Sequence, residues 1–184
     1  VRPSLALGVL ESYLTQAKIR SSVHYPIFDF IERIGLDTYY WLENSYDSDL
    51  LGEWTFAGAA FPEFEPDHES YFRSVSGALN STVLKWMARV HPGLDVSELL
   101  FDLRAQAVAF VDETAKKVLA TRPSMVGCSS LFQQHCASLA LLRRIKELAG
   151  DDVITLLGGA NCEGPMGRAA HRCFPWVDFV VSGE

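Results

Sequence analysis

Three short stretches of this chain gather small and polar residues where a ligand could approach the backbone. They are Ser129-Ser130-Leu131, Gly158-Gly159-Ala160-Asn161 and Ser182-Gly183-Glu184. Serine hydroxyls and free amides at helix starts can hold phosphate, ribose or amide groups. Glycine lets a ligand come close because no Cβ intervenes. Each stretch directly follows an apolar run: Met125-Val126-Gly127-Cys128, Val153-Ile154-Thr155-Leu156-Leu157 and Val177-Asp178-Phe179-Val180-Val181. Any one of them could simply cap a helix or make a turn. Three at strand ends point to one edge of a parallel sheet, the edge at which such sheets bind ligands.

Other groups carry less. The Glu63, Glu65, Asp67, His68 and Glu69 cluster lies beside Pro62 and Pro66, so it reads as a solvated loop rather than an acid–base pair. His135 and His171 fall on predicted helices and read as surface or capping groups. Cys128, Cys136, Cys162 and Cys173 show no CxxC spacing, which fits free thiols in a reducing cytoplasm and not a zinc or iron–sulfur site. No Gly-x-Gly-x-x-Gly or phosphate loop occurs, which weighs against a nucleotide-binding enzyme.

The elements that must position these residues follow from hydrophobic spacing. Phe132 to Leu148 carries Leu139, Leu142, Ile145 and Leu148 at helical intervals, and Gly150-Asp151 stops it. Strand, crossover helix and strand over Met125–Gly159 make a parallel βαβ unit. Met166 to Phe174 predicts a second crossover helix. Upstream, Ser4 is a natural N-cap for a helix through Leu5, Val9, Leu10, Tyr13 and Leu14. Ile19 to Tyr25 then reads as a strand ended by Pro26. A helix followed by a strand implies a strand before it, so the chain reads as truncated at its start. It also stops on Ser182-Gly183-Glu184 with no closing helix, so we read it as a piece of a longer protein.

Residues 27–121 interrupt this rhythm. Phe28 to Leu42, Pro66 to His91 and Val96 to Thr121 all predict helices, and Gly52 to Phe64 is aromatic-rich. A structureless loop of that length is improbable. The expectation is a single Rossmann- or flavodoxin-like α/β domain with a doubly wound parallel sheet. It would hold a helical insert over 27–121, between its second and third strands, and a βαβαβ core over 122–184. The 184 residues suffice for that, and 48% hydrophobic with 21% charged content is the balance of a globular protein. A net charge of −7 without Lys/Arg runs argues against nucleic acid. No apolar run reaches the roughly 20 residues of a membrane span. A cytoplasmic location is the expectation.

The spacing of Ser129-x-Leu131 and Gly158-Gly159 resembles the cobalamin-binding domain, in which such motifs line the slot for the nucleotide tail. The Asp-x-His-x-x-Gly that supplies cobalt's lower histidine ligand in that family is not present, and His24 and His91 lie in the wrong contexts for it. A closer resemblance accommodates this. Residues Arg2 to Gly8, Leu51 to Ala57, Gly158 to Gly164 and Val177 to Glu184 resemble the N-terminal half of cobalamin-dependent radical SAM enzymes, nearest the maturases of ribosomally made peptides. Many of these bind cobalamin without that histidine.

The resemblance implies a cobalamin (B12) binding domain of a peptide-modifying methyltransferase, not catalytic by itself and with no metal ligand from the protein. Cobalt's lower face would be five-coordinate or water-bound. S-adenosylmethionine and a [4Fe-4S] cluster would belong to a radical SAM barrel following in the same polypeptide, and the substrate would be a precursor peptide. It further implies that Leu131, Phe132 and Gln133 approach the corrin's lower face, and that Pro3, Ser4 and Leu5 border the ring. Ser129, Ser130, Gly158 and Gly159 would line the tail, Asn161 and Glu184 would meet corrin amides, and Ala160 and Gly183 would also be cofactor-binding. The competing reading is a Rossmann-like module that has lost its corrinoid and binds a peptide or protein.

Overall fold

The structure, a computed structural model, describes residues 4–44, 49–74, 85, 88, 89, 92, 93 and 95–183. It divides into two compact units, residues 1–36 and 37–184. The first carries helices α1 (Leu5–Gln16) and α2 (Pro26–Ile34). Ser4 caps α1 as its type predicts, its hydroxyl accepting from the Leu7 amide at 3.4 Å. No residue of α1 is buried, and Leu5, Val9, Leu10 and Tyr13 are exposed.

The strand predicted over Ile19–Tyr25 is not formed, for these residues have no regular structure. Among the described residues no strand pairs with them, and Ser22 Oγ instead meets His24 Nε2 at 3.3 Å. The helices therefore precede the sheet, and the boundary that would make 27–121 an insert between strands is not seen. The helix predicted over Phe28–Leu42 is two. Gly35 at φ +83° separates α2 from α3 (Leu36–Glu43).

In the second unit α4 (Leu51–Ala60), α5 (His68–Ser74) and α6 (Val96–Leu119) lead into the sheet. Most of the helix predicted over Pro66–His91 lies outside the described residues. Asp95 starts α6, its carboxylate accepting from the Ser97 and Glu98 amides at 2.8 and 3.1 Å. The α/β portion then runs β1 (Met125–Ser129), α7 (His135–Ala149), β2 (Ile154–Gly158), α8 (Gly164–Cys173) and β3 (Phe179–Val180). The three strands are parallel in the order β1-β2-β3, with Gly127 opposite Leu156 and Leu156 opposite Phe179.

The period-two alternation of a strand sends Cys128, Thr155, Leu157 and Val180 to one face. There Leu139 and Leu142 of α7, Ala170 of α8, Val111 of α6 and Ala60 of α4 join Leu157 in one core. Ala115, Val118, Ile145 and Val153 continue it toward the amino ends of the strands. Trp54, Tyr71 and Phe72 are packing groups: Trp54 stacks on Tyr71 at 5.5 Å, meets Phe72 at a tilt and Phe101 edge-on, and lies under the Arg104 guanidinium at 4.9 Å. The other face of the sheet is open: Met125 is 51%, Ile154 38%, Phe179 56% and Val181 50% exposed. Among the described residues no helix is long and apolar enough to cross a membrane.

Thr155 pins the start of β3. Fully buried, its Oγ1 donates to Trp176 O at 2.7 Å and accepts from the Asp178 amide at 3.1 Å, while its own amide donates to Asp178 Oδ2 at 2.7 Å. Burial works against the Asp178 charge. Hydrogen bonds from Lys146, 2.8 Å away, and from Thr155 outweigh it and hold the carboxyl below its usual range. Thr155→Val should cost about 1–3 kcal/mol by orphaning these partners, read by urea denaturation. Because the folded-state pKa of Asp178 is depressed, its contribution is present above the unfolded value and lost as pH falls through the folded one. Asp178→Asn should therefore flatten the acid limb of stability against pH.

Candidate functional site

Parallel pairing fixes the carboxyl edge. Ser129 stands opposite Gly158 in register, and the Ser130 amide donates to Gly158 O at 2.7 Å, one residue beyond the strand. The predicted pairs thus sit side by side on one rim, but they fall on different sides of the sheet. Ser129 and Gly158 belong to the open face. With Gly127 they form a strip of small residues bordered by Leu156 and Val181. A Cβ on Gly158 would meet only Val181 Cβ, at an ordinary 3.7 Å.

Ser130 and Gly159 are closed against each other. Gly159 has φ +99°, and a Cβ on it would stand 2.6 Å from Ser130 O. Ser130 O accepts from the Asn161 amide at 3.1 Å, so the chain after β2 is stitched across the chain after β1. The expected trench between all four residues is therefore shut at Ser130–Gly159 and open only along Ser129–Gly158.

Ser130 is fully buried and its hydroxyl is shared. Asn161 Nδ2 lies 3.0 Å from Ser130 Oγ and 2.5 Å from Leu131 O. A carbonyl only accepts, so the group facing both is the amide nitrogen, donating one hydrogen to each. His135 Nδ1 lies 2.9 Å from the same hydroxyl. With Asn161 donating, the Ser130 hydrogen is satisfied when it points at an unprotonated His135 Nδ1. Burial and, secondarily, Glu53 set the His135 titration, burial winning and lowering its pKa. Asn161, half-buried, thus ties the two loops through its amide nitrogen.

Gln133 is also turned inward. It holds a left-handed backbone at φ +57°, and its Oε1 accepts from the Gly52 amide at 2.8 Å. This is why α7 begins at His135 and not at Phe132 as the periodicity suggests. Reciprocally, Glu53 of α4 reaches the first turn of α7: Oε1 accepts from the His135 amide at 2.9 Å and Oε2 from the Cys136 amide at 2.6 Å. A carboxylate there meets the positive end of the helix. Leu131 and Phe132, at 43% and 56% exposure, are the apolar side chains this loop presents outward.

Ala160 is exposed and opens a short turn, Ala160–Cys162. Gly183, at φ +100°, donates its amide to Glu163 Oε2 at 3.0 Å. Ser4 and Leu5 belong to the first unit. Pro3 and Glu184 lie outside the described residues. Reading the sequence alone missed Glu53 and treated His135 as a surface or capping group. Glu53 lies over eighty residues from the amides it binds, beyond any local signal.

No family model, curated protein or solved structure matches the chain. Among the described residues no group of His, Cys, Asp and Glu could hold a metal ion. The thiols nearest the site are poor nucleophiles, burial pushing Cys128 up to about 12 and burial with Glu53 raising Cys136 further. A second depression, lined by Phe61, Trp176 and Pro175, carries charges that pair among themselves: Arg143 with Glu63 and Glu147, and Lys146 with Asp178.

Glu53→Gln leaves one acceptor where there were two and removes the charge at the helix start. A loss of about 1–2 kcal/mol is expected in urea denaturation. Gly159→Ala should cost about 1–3 kcal/mol by forcing the Ser130 backbone aside, whereas Gly158→Ala should leave the transition nearly unmoved.

Proposed function

We propose that this chain is the cobalamin-binding domain of a radical SAM enzyme of the peptide-maturing group. In this reading the sheet is part of a Rossmann- or flavodoxin-like doubly wound domain, and the helices of 27–121 are its cap. The observation that carries it is the in-register pair Ser129–Gly158 at the carboxyl edge. It stands at the head of a strip of small residues, beside the exposed Leu131 and Phe132.

A flat macrocycle needs an apolar shelf, which Leu131, Phe132 and Ala160 supply. A descending tail needs a strip without side-chain bulk, which Gly127, Ser129 and Gly158 supply. The fit is with the open face; the closed Ser130–Gly159 junction does not admit a tail. The protein's part is to bind and orient, with Ser130, His135 and Asn161 holding the two loops together from behind. Bound cobalamin would supply a methyl group for transfer, and the other cofactors and the precursor peptide would engage the rest of the polypeptide.

The open apolar face of Met125, Ile154, Phe179 and Val181 favours one second reading, a peptide- or protein-binding module without corrinoid. Mixing with hydroxocobalamin and desalting separates the two. Visible colour should stay with the protein, and Gly158→Val should abolish it while the unfolding transition is retained. A colourless wild-type protein, or a variant that still holds the pigment, overturns the cobalamin reading.

A further inference from the structure

The neutral ring of His135 is the piece that completes the hydrogen-bond count at the strand edge. Ser130 Oγ receives Asn161 Nδ2 at 3.0 Å, and its own hydrogen finds an acceptor in His135 Nδ1, 2.9 Å away, when that nitrogen carries no proton. A proton on Nδ1 reverses that bond. Both neighbours would then donate to Ser130 Oγ, and the hydroxyl hydrogen of a fully buried residue would be left without an acceptor. The same residue bears the two backbone bonds that stitch the loops, Ser130 N to Gly158 O at 2.7 Å and Asn161 N to Ser130 O at 3.1 Å. We propose that His135 is a proton-sensitive latch, neutral when the Ser130–Gly159 junction is closed and opening that junction when it takes up a proton. The inference concerns the regulation of the proposed site and rests on that reading only for its consequence, access to the space between the loops.

The surroundings make the latch specific to one ring. From α4, Glu53 faces the start of α7, but its oxygens bind the His135 and Cys136 amides. From α6, Arg104 interacts electrostatically with Cys136, the neighbour of His135 on its own helix. From the segment after α8, Phe174 packs edge-on to the ring at 6.1 Å and brings no charge. The start of a helix, itself electropositive, opposes a second positive charge. Burial acts in the same direction and lowers the His135 pKa, outweighing Glu53. The folded protein thus binds this proton less readily than the unfolded chain. The latch is closed above the unfolded histidine value and yields as pH falls below it.

Amide hydrogen exchange on the chain without ligand reads the latch directly. After correction for intrinsic rates, protection of the Ser130 and Asn161 amides should fall at least tenfold between pH 8 and pH 5, while Leu142 and Leu157 stay protected. His135→Asn places an amide oxygen where Nδ1 stands, so its junction should remain protected across the range. His135→Leu should be unprotected throughout while remaining folded. Wild-type protection that does not change with pH overturns the latch, as does a fall that persists in His135→Asn. Hydroxocobalamin retention is measured separately, so a failure to bind pigment at every pH counts against the cobalamin reading and leaves the exchange result standing.

Discussion

One carboxylate ties the helical layer of this protein to its sheet. Glu53 on α4 spans the two leading amides of α7, and Gln133, just before α7, returns the favour by accepting from the amide of Gly52. Each helix start thereby supplies the cap the other lacks, across more than eighty residues of chain. The exchange fixes where α7 begins, and with it where His135 stands. From there the order passes inward, His135 to Ser130, Ser130 to Asn161, and Asn161 to the turn after β2. The rim at which a ligand would arrive is held by groups that never face it.

That dependence explains how much of the molecule could be read from the letters. Strands β1 and β2 and helices α6 and α7 were legible because their signals are local: apolar runs ended by Ser129-Ser130 or Gly158-Gly159, or apolar residues at helical spacing ended by Gly150 or Pro123. The adjacency of Ser129-Ser130 to Gly158-Gly159 was legible for the same reason, because a parallel βαβ unit has little freedom of register. What the letters concealed was non-local. Ile19 to Tyr25 has strand-like composition, yet a strand exists only with a neighbour to pair with. The first turn predicted for α7 is lost because Gln133 is drawn to Gly52. The four rim residues looked like walls of one slot. The pleat sends Ser129 to one side and Ser130 to the other, and only atomic packing shows which side is closed.

The two faces of the sheet set the terms for any ligand. One is sealed by α7, α8 and the helices behind them, with Leu157 at its centre. The other is apolar and left exposed by the described residues, whereas sheets built only of parallel strands are ordinarily covered on both sides. Nearest the carboxyl edge the bare face loses bulk at Gly127, Ser129 and Gly158, so whatever lies against it meets backbone there and side chains further down. Specificity at such a surface comes from shape, with few polar groups free to contribute.

The distribution of sulfur has a practical corollary. Cys162 is wholly enclosed and the environments of Cys128 and Cys136 disfavour their thiolates, whereas Cys173 lies exposed at the end of α8. A maleimide dye would therefore decorate a single position, giving a ready-made spectroscopic reporter on the crossover between the second and third strands without any engineering of the chain.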